Sequence, residues 1–162
     1  MKMQTTLTYR GPIEGKIKGL NACVKESMKD CVRMWHGQFL PRHFDTLNAV
    51  RTRYPGVYKA RTKKYMIRKG KVQKHQRLLD WSGRTRLEMV RKITVSGTSK
   101  GATGRMTGSN RALNFSGRSN MPDMRAEITT INQAESDILA QAFGQKIEAF
   151  MNDNRDTQIV KP

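Results

Sequence analysis

The side chains with the most capacity for chemistry in this sequence are cations. From Asp45 to Pro122 there are 19 Lys or Arg against 3 acids, and from Tyr58 to Arg77 nine cations occur without a carboxylate. That run holds Lys59, Arg61, Lys63, Lys64, Arg68, Lys69, Lys71 and Lys74, interleaved with Tyr58, Tyr65 and Met66-Ile67. Cations at this density suit a phosphate backbone, where each neutralised phosphate releases counterions, or an acidic protein surface. The aromatic rings suit stacking on bases or packing down on protein.

Other chemistries lack their residue sets. Acid–base or two-metal hydrolysis needs clustered carboxylates or a nucleophile beside a base. Between 45 and 122 only Asp45, Asp80 and Glu88 are acidic, and no Ser or Cys sits in a catalytic motif, so no enzyme activity is expected. Cys23, Cys31, His36 and His43 form neither a Cys-x-x-Cys nor a His-x-x-x-His pair, so no metal site is expected. Gly97 to Gly104 is rich in glycine but lacks the Gly-Lys-Ser/Thr ending of a phosphate loop, and a strand candidate follows it. It reads as a mobile hairpin turn, and no cofactor is expected.

Two amphipathic helices must frame these residues. Ile13, Ile17, Leu20, Val24, Met28, Cys31 and Trp35 recur at intervals of three and four, with Pro12 at the start and Gly37 and Pro41 at the end. Cys23 and Cys31 then lie too far apart along one helix to bridge, and read as reduced core thiols. A closing helix starts at Asn132-Gln133-Ala134-Glu135, which has capping-box spacing. Its apolar stripe is Ile138, Leu139, Ala142, Phe143, Ile147, Phe150 and Met151, and Met151 or Asn152 should end it. Between the helices, residues 87–96 read as a strand, with shorter strands around 111–115 and 124–129. The stretch from Tyr58 to Arg77 shows no sustained period of 2 or 3.6. It reads as an extended arm or long loop that orders against a partner.

The predicted architecture is therefore α+β: a small antiparallel sheet bracketed by an N-terminal and a C-terminal amphipathic helix, with a long basic loop or arm. One domain over residues 1–162 is expected, with the basic arm at 45–80 and a flexible tail at 153–162. The formal net charge of +18 is strongly segregated, since residues 123–162 hold 4 cations and 7 acids. No run of about 18 apolar residues occurs and the N-terminus lacks an apolar signal region, so a soluble life without membrane partners is expected.

The order of these segments is itself informative. The first helix leads into Tyr58-Lys59-Ala60-Arg61-Thr62-Lys63-Lys64-Tyr65-Met66-Ile67-Arg68-Lys69 and on to Lys74-His75. Leu79-Asp80-Trp81-Ser82-Gly83-Arg84-Thr85-Arg86 follows, then Ala126-Glu127-Ile128-Thr129-Thr130-Ile131-Asn132 before a last helix with Leu139-Ala140 and Phe143. Over roughly residues 13 to 152 this resembles the neck and tail-completion proteins of tailed bacteriophages. Where that family often carries Pro before the aromatic-Ser-Gly step, this chain has Leu78-Leu79.

The resemblance implies a structural virion protein, assembled in the host cytoplasm. It would be a homo-oligomeric ring, often a hexamer, that joins the portal side of the capsid to the tail. Its partners would be itself, the adjacent neck and tail proteins, and the genomic DNA passing through the lumen. No catalytic residue is implied. The alternative is a free nucleic-acid-binding protein of ribosome-associated or nucleoid type. Within the connector expectation, most of the basic arm is assigned to acidic protein surfaces and a minority of its cations to DNA. Cations docked on carboxylates should be buried in paired, charge-assisted hydrogen bonds.

Overall fold

A computed structural model describes residues 16–59, 61, 63–73, 84–106 and 123–156. Helix α1 spans Lys16–Met34 and runs directly into a π-helical turn, Trp35–Phe39, and a 3-10 turn, Leu40–Phe44. Pro41 explains the change of pitch. Its ring would collide with the carbonyl four residues back and it has no N–H to donate, so an α-helix cannot continue through it. The wider turn lets the Leu40 N–H reach the Trp35 carbonyl instead. Trp35, His36, Phe39, Leu40, His43 and Phe44 are all buried in this bend.

Successive short elements follow. These are α2 (Leu47–Arg53), α3 (Lys63–Gln73), α4 (Arg84–Arg91), the hairpin β1 (Ile93–Thr98) and β2 (Gly101–Met106), α5 (Met124–Thr129) and α6 (Gln133–Asp156). The described architecture is thus mostly helical, with a two-stranded antiparallel sheet flanked by N- and C-terminal helices. No helix among the described residues is long and apolar enough to cross a membrane.

Helix α1 is the middle layer. Steps of 100° per residue place Gly19, Cys23, Asp30 and Cys31 on one side and Lys29 and Val32 on the opposite side. The first side meets α6. Cys31 Sγ lies 3.5 Å from the Leu139 carbonyl, Asp30 pairs with Lys146, and Leu139, Phe143 and Ile147 are buried. Each such apolar side chain contributes roughly 1.5–3 kcal/mol by leaving water. Both cysteines are free, and burial pushes the Cys31 thiol up, as befits a core thiol.

The hairpin covers the other side of α1. Residues Ile93, Val95 and Gly97 pair with Met106, Gly104 and Ala102 on its inner face. Glycine is required there by close approach. A Cβ on Gly104 would lie 2.6 Å from Ile93 Cδ1 and 2.7 Å from Val32 Cγ1, and one on Gly97 would lie 2.8 Å from Lys29 Cγ. We expect Gly104→Ala to destabilise the fold by about 1–3 kcal/mol through overpacking. Gly144→Ala has the opposite sign. Open space surrounds that position inside α6, so the change should stabilise by about 0.5–1 kcal/mol through helix propensity alone. Urea denaturation of the two variants beside the parent checks the pair.

Several sequence expectations change in the structure. Residues 87–96 are not one strand. Helix α4 ends at Arg91 and β1 begins at Ile93, because Leu87, Glu88 and Met89 are helix formers supported by an Arg84–Glu88 pair, whereas Ile93, Thr94 and Val95 are β-branched. Residues 124–129 are helical. Asp123 caps them by accepting the Ala126 N–H at 3.0 Å, and the adjacent Glu127 and Ile128 are both buried, unlike the alternation of a strand with one face in solvent. Residues 63–73, expected extended, form α3. They lack an apolar stripe, but Lys, Arg, Met and Gln are intrinsically good helix formers. Helix α6 runs past Met151 to Asp156. The strand expected at 111–115 lies outside the described residues.

Gly97 to Gly104, expected to be turn throughout, is mostly strand: Gly97 and Thr98 end β1, Gly101 to Gly104 belong to β2, and Ser99-Lys100 alone form the turn of the hairpin. Thr98 Oγ1 accepts the Lys100 N–H at 3.2 Å within it. The capping box of α6 is formed as well. Asn132 Oδ1 accepts the Glu135 N–H at 2.8 Å, and Glu135 Oε2 accepts the Asn132 N–H at 3.4 Å.

Candidate functional site

The basic segment is bolted to the interior at its start. Thr46 caps α2 by accepting the Ala49 N–H, and the short helix delivers Tyr54 and Tyr58 into the core on either side of a turn at Pro55-Gly56, where Gly56 takes φ +76°. The Tyr54 hydroxyl donates to Glu135 Oε1 at 2.5 Å, so the N-terminus of α6 is tied to the end of α2. Asn132 Nδ2 donates to the Arg53 carbonyl at 3.1 Å and reinforces that tie. Arg51 Nε donates to the Tyr58 carbonyl at 3.1 Å.

Next comes the ion pair. Arg61 grips Glu127 with both arms of its guanidinium, Nη1 to Oε1 at 3.1 Å and Nη2 to Oε2 at 2.6 Å. The Lys59 backbone N–H adds a third donor to Oε1 at 3.1 Å. The two side chains are only 9% and 3% exposed, so the pair belongs to the core and not to the solvated surface. Glu127 reaches this point because α5 turns it and Ile128 inward together.

His43 sits between the two tyrosines. Its ring stacks on Tyr54 at 4.2 Å between centroids, and Nδ1 lies 2.6 Å from the Tyr58 hydroxyl and 3.0 Å from the Glu127 carbonyl. A carbonyl can only accept, so Nδ1 carries the proton of the neutral ring. Nε2 is buried without a hydrogen-bond partner among the described residues. A second proton there would have nothing to donate to. Burial accordingly lowers the His43 pKa to about 4, against a smaller upward effect of the hydrogen bond to the Glu127 backbone. Burial also pushes both phenols well above the usual tyrosine range, so Tyr54 and Tyr58 stay protonated.

This cluster ties the start of the basic segment to α5 and α6 through buried hydrogen bonds and one buried ion pair. Among the described residues no three His, Cys, Asp or Glu side chains are grouped to hold a metal ion.

The residues singled out from sequence divide into two groups. Arg61, expected at a partner or DNA surface, is committed to the chain's own Glu127. The Lys59 side chain is exposed while its backbone serves the same carboxylate. Lys63, Arg68 and Lys71 are exposed on α3, and no acidic partner stands beside them among the described residues. Lys64 and Lys69 belong to the same helix, with side chains outside the described part, and Lys74 lies outside the described residues altogether. His43, Tyr54 and Glu127 were not singled out as a unit by sequence, since nothing in their spacing brings them together. Comparison with family models, curated proteins and solved structures finds no match.

Proposed function

We propose that this chain is a structural subunit of a phage neck, a ring that joins the portal side of the capsid to the tail around the DNA channel. The observation that carries the proposal is the contrast between Arg61 and the cations that follow it. Arg61 is locked by a buried bidentate pair, while Lys63, Arg68 and Lys71 on the next helix are exposed with no acidic partner among the described residues. A segment fixed at its base, with exposed and unneutralised cations on the described part of the helix that follows, is built to meet something outside the subunit. The order of segments supports the connector class through its resemblance to neck and tail-completion proteins. The same cations keep a free nucleic-acid-binding protein as the second reading, since a helix without acids also suits phosphates.

Protein mass spectrometry of purified tailed particles separates the two. The connector should be present in virions at the copy number of one ring. A chain absent from particles, which binds duplex DNA with an affinity falling steeply as salt rises, would establish the second reading instead.

A further inference from the structure

The described surface exposes three large apolar side chains, and their surroundings differ in sign. Ile67, 50% exposed, lies on α3 between Lys63 and Lys71, each one turn away. Leu87, 65% exposed, lies on α4 between Arg84 and Arg91. Ile138, 44% exposed, lies on α6 beside Asp137. The solvent face of α6 is unlike the rest of this basic protein. Asp137, Ile138, Gln141, Gln145 and Glu148 are all exposed there, opposite the buried Leu139, Phe143 and Ile147. The one cation among the described side chains of α6, Lys146, is turned to the side and paired with Asp30.

Taking as given the self-assembly in the proposed function, we infer that the solvent face of α6 receives the basic face of α3 from a second copy of this chain. The match is in both charge and polarity. On α3, Lys63, Arg68 and Lys71 surround an exposed isoleucine, and on α6 the exposed isoleucine lies beside Asp137, with Glu148 nearly three turns further along the same solvent face. Asp137 and Glu148 are eleven residues apart, three turns, and so share one line along the helix. A chain with a formal net charge of +18 should repel its own copies unless such an acidic face is placed for the contact. Because the two patches are different surfaces, the contact is head-to-tail. It leaves one α3 and one α6 unfilled in any open chain of subunits, and closes only as a ring.

The test uses the full chain, with mass measured in solution over a concentration series. K63E/R68E/K71E and D137K/E148K should each weaken self-association by on the order of tenfold or more. Mixed together they should associate again, because the acidic α3 of the first meets the basic α6 of the second. That recovery also shows that both variants are folded. Self-association unchanged by either set, no recovery on mixing, or a parent chain that stays monomeric throughout would overturn the interface. Loss of duplex DNA binding by the α3 set alone, with association intact, would assign those cations to nucleic acid and overturn it too. The virion measurement is separate. Particles that contain the chain while charge exchange fails would remove this interface and keep the ring, and the converse result would do the reverse.

Discussion

Arg61→Ala should be the most damaging single change on the basic segment, with a loss of about 3–5 kcal/mol in folding stability. Removing the guanidinium leaves the Glu127 carboxylate buried, with the Lys59 N–H as its remaining donor from the segment. An unpaired buried charge costs more than the pair itself contributes. Arg61→Lys should recover only part of the loss, because an ammonium is a single point charge and cannot bind both carboxylate oxygens in parallel. Lys63→Ala, Arg68→Ala and Lys71→Ala should each stay within about 0.5 kcal/mol of the parent, as exposed positions do. Urea midpoints at one pH compare the five variants with the parent. Equal, small effects at Arg61 and at the three exposed cations would show that the segment has no buried anchor.

That contrast marks the limit of what sequence could show about the site. The excess of cations from Asp45 to Pro122 is plain from counting, and so is the absence of acids near Lys63 to Lys71. Which cation is neutralised internally is not. Arg61 and Glu127 are 66 residues apart, and their meeting depends on the path of α2, the Pro55-Gly56 turn and the inward face of α5 together. The Glu127 carboxylate was visible only as part of an assumed strand. Glu135 was legible as the N3 member of a capping box, but its second task, accepting the Tyr54 hydroxyl, is again a long-range matter.

The fold divides along the same line. Helices α1 and α6 bury one face along most of their length, and such burial writes a period of three and four into the sequence. Helix α2 contributes a single fully buried side chain, Val50, and α3 contributes none among the described side chains, so neither leaves a stripe to detect. The stretch at 87–96 failed for a different reason. Its apolar residues belong to two elements meeting at Lys92, and the alternation belongs to the second alone: Ile93 and Val95 face inward between exposed Thr94 and Ser96, while Leu87, Met89 and Val90 sit on a helix.

The interior around His43 also makes the fold sensitive to mild acid. In the folded chain His43 is neutral with a pKa lowered to about 4, against 6.5 for an unperturbed imidazole. Above pH 6.5 the ring is uncharged in both folded and unfolded chains, and its pairing to the Glu127 carbonyl contributes in full. As pH falls through 6.5 the unfolded chain takes up a proton that the folded chain refuses, so stability declines. The decline is complete once pH passes about 4, where the folded ring protonates as well. One pKa unit corresponds to about 1.4 kcal/mol, so the whole window removes about 3 kcal/mol. Carboxylates act lower. Asp30, whose pKa is held down by its hydrogen bonds to Lys146 and Arg33, adds its own loss only as pH falls below its ordinary value of 3.8. Imidazole NMR across pH 7.5 to 4, with the His43 signal assigned by its disappearance in His43→Gln, measures the shift directly, and urea midpoints over the same range measure its consequence. A His43 ring that titrates near 6.5 in the folded protein would mean that it is solvated, and that the stack of Tyr54 on His43 does not close the core at the base of the basic segment.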